Sequence, residues 1–261
     1  MNKILPNILL IVSILVLLFL AGCTEDNDEF FISYDTNYYP IQSGNYNIYD
    51  VTEITIDAPS DVYDTTNYQL KEMIGGKYTD NAGKTAYLFL RYTRSDTNAT
   101  WQISDVWTLQ LTDDRLFLTE ENHRIVKMHF PLSLNKSWDG NAYNELDDTE
   151  YTITGLDEPA RVNQHYFDSV LTITQEADSS LIHKNYSVEK YAMDTGLIYK
   201  EITKLNSQEI EPGVPLEDRI TTGNIYKQWF VENGEDEDYN TATYIFLPQC
   251  CNNANPSVTG Q

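Results

Sequence analysis

Cysteine is scarce in this chain of 261 residues: only Cys23, Cys250 and Cys251 occur. A disulfide scaffold needs more pairs than that, so the fold rests on packing. No CxxC or HExxH spacing is present, and the four histidines, His123, His129, His165 and His183, include no i,i+2 or i,i+4 pair. No metal and no cofactor is therefore called for by any local ligand pattern. Basic residues are also few, 17 Lys+Arg against 40 Asp+Glu, for a formal net charge of −23. A polyphosphate partner needs a basic surface that releases counterions, which excludes nucleic acid. What is not scarce is apolar and aromatic side chains, 41% and 12% of the chain. That is too apolar for disorder, and a buried core is expected.

One long apolar run stands out, Ile8 to Leu20, interrupted only by Ser13 and followed by Leu20-Ala21-Gly22-Cys23. It is shorter than the roughly 20 residues that span a bilayer. The pattern resembles a bacterial lipoprotein signal, in which the thiol of Cys23 takes a diacylglyceryl group before cleavage. It implies a signal peptide over 1–22 and an outer-membrane lipid partner through Cys23. Four acids come directly after it, Glu25, Asp26, Asp28 and Glu29. They resemble the acid-rich signal that exports lipoproteins to the cell surface in one Gram-negative lineage, and a flexible solvated tether over 23–33 is the plainer reading of the same run.

From about Phe31 onward apolar and polar residues alternate at period two, as in Tyr46 to Ile56, and no helical stripe is sustained. Alternation of this kind is the mark of half-buried strands. Gly75-Gly76, Asn81-Ala82-Gly83, Asp113-Asp114, Gly140-Asn141, Asp194-Thr195-Gly196 and Asn233-Gly234 fall between strand candidates and supply turn formers. The expectation is an all-β, antiparallel meander of about twelve strands, a curved sheet, half-barrel or sandwich. The last strand candidate is Thr241 to Leu247.

A faint repeat links Tyr39-Pro40 through Asn45 to Phe130-Pro131 through Lys136, 91 positions on. Proline after an aromatic fixes φ ahead of a strand, and Gly44 or Asn135 permits a tight turn before the next aromatic strand. Two duplicated halves are one reading, with 34–129 and 130–211 as β-rich halves, 212–248 as a hairpin extension and 249–261 as a flexible tail.

The stretch Glu121 to Leu132, continued by Trp138-Asp139-Gly140-Asn141, and the later Asp194 to Glu201, resembles part of a family of secreted β-rich lipoproteins from the same Gram-negative lineage. The resemblance covers roughly Tyr34 to Thr203. It implies the β-rich fold and brings no established activity. Asn47 stands where that pattern usually has Trp, and Asn135 where it usually has Gly.

The remaining motifs are weak. Asp194-Thr195-Gly196 matches the short core of an aspartic-protease site but has no second copy, so it reads as a hairpin turn. Gly83-Lys84-Thr85 lacks the glycine a phosphate loop needs five residues earlier, where Tyr78 sits. No Gly-x-Ser-x-Gly marks a nucleophile. Glu235 to Asp238 lacks the alternating ligands of a calcium loop and reads as a charged loop. Cys250 and Cys251 are adjacent and could close a disulfide in an oxidising envelope. Asp64-Thr65-Thr66 and Asp168-Ser169-Val170 resemble short O-glycosylation acceptors of envelope proteins.

The 19 tyrosines suit glycan or protein binding as well as sheet faces. Tyr34, Tyr38 and Tyr39, and Trp101 with Trp107 six positions away on one expected strand face, are the binding-patch candidates. The reading is a lipid-anchored outer-membrane protein, displayed on the cell surface, that binds a protein or glycan or serves as an accessory subunit. Catalysis is not required by any residue pattern. A periplasm-facing carrier of a hydrophobic ligand and a glycan or peptide hydrolase are the alternatives.

Overall fold

The computed structural model describes residues 34–236. Cys23, the acids Glu25, Asp26, Asp28 and Glu29, the strand candidate at 241–247, and Cys250 and Cys251 lie outside the described residues. Within them the period-two segments form β1 (Asn45–Asp57), β2 (Val62–Thr79), β3 (Thr85–Arg94), β4 (Gln102–Leu111), β5 (Arg115–Glu120) and β6 (His123–His129). The second series is β7 (Ser137–Asp139), β8 (Glu150–Val162), β9 (His165–Ser179), β10 (His183–Ala192), β11 (Gly196–Asn206) and β12 (Thr222–Glu235). All twelve join one antiparallel sheet in the order β6-β5-β4-β3-β2-β1-β12-β11-β10-β9-β8-β7. The meander curls into a nearly closed barrel whose seam, between β6 and β7, carries no ladder.

One row of cross-strand neighbours shows what faces inward. Val51 pairs with Gln228, Gln228 with Lys200, Lys200 with Glu189, Glu189 with Ile173 and Ile173 with Ile153. Residues opposite one another share a face, so this row lines the barrel. Around it lie Leu109, Leu116, Leu118 and Met128 from one side and Tyr151, Leu171 and Tyr191 from the other, in one buried cluster. The interior is thus filled by the chain's own side chains.

Turn residues behave as expected at Gly83, Asp194 and Gly196, which adopt positive φ. Two glycine sites do not. Gly75-Gly76 lies inside β2 and forms a bulge between Ile74 and Lys77, where a Cβ on Gly75 would stand 3.1 Å from Leu88. Asn233-Gly234 lies inside β12 rather than between strands, because it pairs with Asn47 and Tyr46 of β1, and the Tyr46 ring packs so closely that a Cβ on Gly234 would approach its hydroxyl to 2.5 Å. Glycine here permits close approach rather than a turn. Asn135 takes φ 65° and Gly44 φ 98°, and Asn135 N–H donates to Ile153 O just as Gly44 N–H donates to Ile74 O. The two repeat segments therefore make matching turns ahead of β7 and β1.

The lone outer edge of lower β8 carries Pro159, which has no N–H to offer a further strand. The segment around the 3-10 turn Thr36–Tyr38 covers the same region. Tyr38 Oη donates to Asp157 Oδ1 at 2.6 Å and lies 2.7 Å from Ser169 Oγ, which also donates to Asp157 at 2.8 Å. Asp194 N–H donates to Asn37 O, fixing the segment across one end of the barrel.

A candidate cleft at the barrel mouth

The binding-patch candidates do not assemble into one exposed surface. Tyr34 is exposed, Tyr39 is half-buried, and Tyr38 is fully buried, held inside by the Asp157 and Ser169 hydroxyl network. Trp101 and Trp107 are half-buried and do not share a face. Arg91 pairs with Asp105 while Tyr92 pairs with Ile103, so Ser104 is an extra residue that reverses the alternation. Trp107 accordingly stacks under Arg91, and Trp101, just outside β4, lies under Arg94, each 4.2 Å from the guanidinium carbon. Of the two acceptor-like segments, Thr65 is exposed, whereas Ser169 Oγ is engaged with Tyr38 and Asp157.

The structure instead presents a cleft of about 250 Å³ at the end of the barrel where β1 begins. Its walls carry Tyr39, Tyr46, Tyr49 and Phe89 as aromatic surface and Asn47, Glu72 and the 194–197 turn as polar surface. Local sequence explains each placement. Alternation puts Asn47, Tyr49 and Val51 on the inward face of β1, and the turn before β1 swings Tyr39 across the mouth. There its ring centroid lies 5.9 Å from that of Tyr191. Asn47 Nδ2 donates to Thr195 O at 2.8 Å and to Leu197 O at 3.3 Å, and Tyr49 Oη donates to Leu197 O at 3.0 Å. The cleft floor is therefore tied to the β10–β11 turn. Both amide protons of Asn47 are used on the wall, which leaves its carbonyl as an acceptor.

Glu72 is held by Arg91, which reaches it through Nε at 3.2 Å and reaches Asp105 through Nη1 at 3.2 Å. Sequence reading missed this triad because Glu72 and Arg91 meet only through the β2–β3 register, where they are direct partners. A second charged cluster lies deeper. A bulge in β6 turns Lys127 inward, where Nζ meets Glu189 Oε1 at 2.7 Å, and Lys200 approaches the same carboxylate at 3.4 Å. Tyr191 Oη also donates to Glu189. Burial alone would raise the Glu189 pKa, but the two ammonium groups and the tyrosine hydroxyl outweigh it and hold the carboxyl down to about 2. Burial and the same carboxylate push the Tyr191 hydroxyl well above its ordinary value. Glu189 is thus an ionised strap between β10 and the seam strand β6.

Asp157 shows the same competition at the surface, where desolvation would raise its carboxyl and the hydroxyls of Tyr38, Ser169 and Tyr34 hold it down. Among the described residues no group of three or more His, Cys, Asp or Glu side chains is placed to hold a metal ion. Glu235 ends β12, and Asp236 pairs with Lys71 at 2.8 Å; Glu237 and Asp238 lie outside the described residues. No described helix is long and apolar enough to cross a membrane.

No family model matches the chain, and no curated protein is detectably similar to it. Three solved structures share part of its chain path. An exported protein with a YmcC-like fold from Bacteroides fragilis aligns at TM-score 0.43 and 11% identity over 76% of this chain and 98% of its own. A lipoprotein from Parabacteroides distasonis aligns at TM-score 0.37 and 10% identity, again over 76% and 98%. A LolA superfamily protein from Nitrosomonas europaea aligns at TM-score 0.23 and 12% identity over 80% and 94%. These scores describe partial likeness of chain path and carry nothing about activity.

Proposed function

We propose that this chain is a lipid-anchored envelope protein of a Gram-negative bacterium that binds a small polar ligand, a single glycan residue, at the barrel mouth without catalysis. The observation that carries the reading is the contrast between a filled barrel and a cleft of about 250 Å³ at its end. Sites for drug-sized ligands run from about 300 to 1,000 Å³, so this cleft takes one ring rather than an acyl chain. Flat aromatic faces beside the Asn47 carbonyl and the Glu72 carboxylate suit the mixed apolar and hydroxyl surface of a sugar. The carrier alternative needs an enclosed apolar cavity, and the place for it is occupied by Leu109, Ile153, Leu171, Ile173 and Tyr191.

Location is set by the anchor. Ten residues, 24–33, separate Cys23 from Tyr34, and a fully extended chain over those eleven steps reaches roughly 40 Å. Lipidation at Cys23 would keep the barrel within that distance of the bilayer, and the acids at 25–29 fit export to the cell surface. Titration of the full-length chain in detergent micelles with a panel of neutral mono- and disaccharides tests the ligand. Binding that is lost in Thr195→Trp, a substitution that fills the cleft from its turn, supports the reading. Undiminished binding in that variant, or no saccharide binding at all, contradicts it.

A further inference from the structure

The exterior of the seam gathers basic side chains in a chain where they are few. With 40 acids and 17 Lys+Arg in the chain, most cations should face carboxylates. On the outer face of β5 and β6, however, Arg115 stands directly opposite His129. Lys136, from the segment ahead of β7, and Arg115 both act on the same imidazole; Asp114 opposes them and contacts Arg115, while Asp35 and Asp114 act on Lys136. The His129 ring has no hydrogen-bond partner among the described residues.

Arg115 and His129 border a groove of about 360 Å³, closed on its other side by Trp138, Asp139 and Tyr143. Tyr143 is 50% exposed, stands edge-on to Phe117, and has the guanidinium carbons of Arg115 and Arg124 5.7 and 6.0 Å from its ring centroid. Asp139 Oδ1 accepts the N–H groups of Asn141 at 2.9 Å and Thr149 at 3.0 Å, which leaves Oδ2 as an acceptor at the groove edge.

We propose that this groove binds a carboxylate carried on a sugar ring, as in a uronic acid. The carboxylate meets the guanidinium fork of Arg115 and the imidazole of His129, the C–H face of the ring lies on Tyr143, and a hydroxyl donates to Asp139. The Asp139 and Asp114 carboxylates oppose a second negative charge, which favours a monoanionic carboxylate over a phosphate dianion. Burial, Lys136 and Arg115 lower the His129 pKa, with Asp114 opposing them, so the bare groove disfavours the imidazolium and an arriving anion restores it. The site is separate from the mouth cleft and does not rest on it.

The test is an NMR and calorimetric titration of the full-length chain in micelles with glucuronate, glucose and inorganic phosphate at low ionic strength. Glucuronate is expected to bind and to displace the His129 imidazole resonances. Arg115→Gln and Tyr143→Ala should each weaken it about tenfold, the scale of one charge-assisted hydrogen bond or one good aromatic contact. Arg115→Lys, which keeps the charge but loses the fork, should fall between. Unchanged thermal melts of these variants separate lost binding from lost folding. Glucose binding as tightly as glucuronate, phosphate binding as tightly, or glucuronate binding without a response at His129 would each overturn the proposal. Because the readout is His129, failure of saccharide binding at the mouth leaves this result unaffected.

Discussion

The two halves of the sheet meet at two unlike junctions, one laddered and one an open seam. Where the first meander meets the second, β1 and β12 pair along the whole of β1, from Asn45 to Asp57. At the other junction β6 and β7 share no ladder, and the seam is spanned by Trp138 Nε1 donating to Val126 O at 2.8 Å, Val126 N–H donating to Gly140 O at 2.9 Å, and Asn144 Nδ2 donating to Arg124 O at 3.2 Å. The turns that precede β1 and β7 match, so strand initiation does not account for the difference. Strand length does: β1 continues as an alternating run to Asp57, whereas β7 stops after three residues at Gly140-Asn141, where Asp139 and Asn141 turn the chain aside. Side chains then take over the work that backbone pairing does elsewhere, and the same diversion opens the seam groove.

The largest break in this comparison is expected from Glu189→Ala. It leaves Lys127 on the seam strand and Lys200 on β11 without their shared counter-ion inside the barrel. Loss of one partner of a buried ion pair costs about 3–5 kcal/mol, measurable by urea denaturation, with β6 amides losing protection before those of β1. Acid should act on the same strap. The Glu189 carboxyl is held below its unfolded value, so its contribution is complete above that value and is lost as pH falls from about 4.5 toward about 2. Between pH 7 and pH 5 this group should leave stability flat, and a loss across that interval that vanishes in Glu189→Gln would contradict the assignment. A smaller effect is expected from Trp138→Phe, which removes the Nε1 bond to Val126 O while keeping an aromatic ring on Tyr151. The loss should be about 1 kcal/mol and should accelerate hydrogen exchange at the seam without changing exchange along β1 and β12.

Much of this architecture is legible in the sequence. Alternation from Tyr46 to Ile56 is enough to place β1, and the turn at Asp194-Thr195-Gly196 arises from residues that tolerate positive φ. Less legible are the places where the period slips. The bulge at Ser104 separates Trp101 from Trp107, the bulge in β6 sends Lys127 inward, and the glycine of Asn233-Gly234 serves a ring contact rather than a turn. Each depends on a neighbour far along the chain. The mouth cleft was hidden for the same reason, since Asn47, Glu72 and Asp194 converge only when β1, β2 and the β10–β11 turn are in register. The interior charges left no local signal: Arg91 and Glu189 each come directly after an apolar strand residue, Leu90 and Val188, so alternation counted from that residue would turn them outward.

The central claim is a barrel that is filled by its own side chains and binds at its surface. Its most direct test is extraction and mass-spectrometric quantification of lipid from the protein purified out of its own membrane, with covalently attached and released acyl chains measured separately. Acyl chains attached at Cys23, and no releasable lipid in proportion to protein, is the predicted result. About one releasable acyl lipid per chain, displaced when the barrel is unfolded, would contradict it and restore the carrier reading.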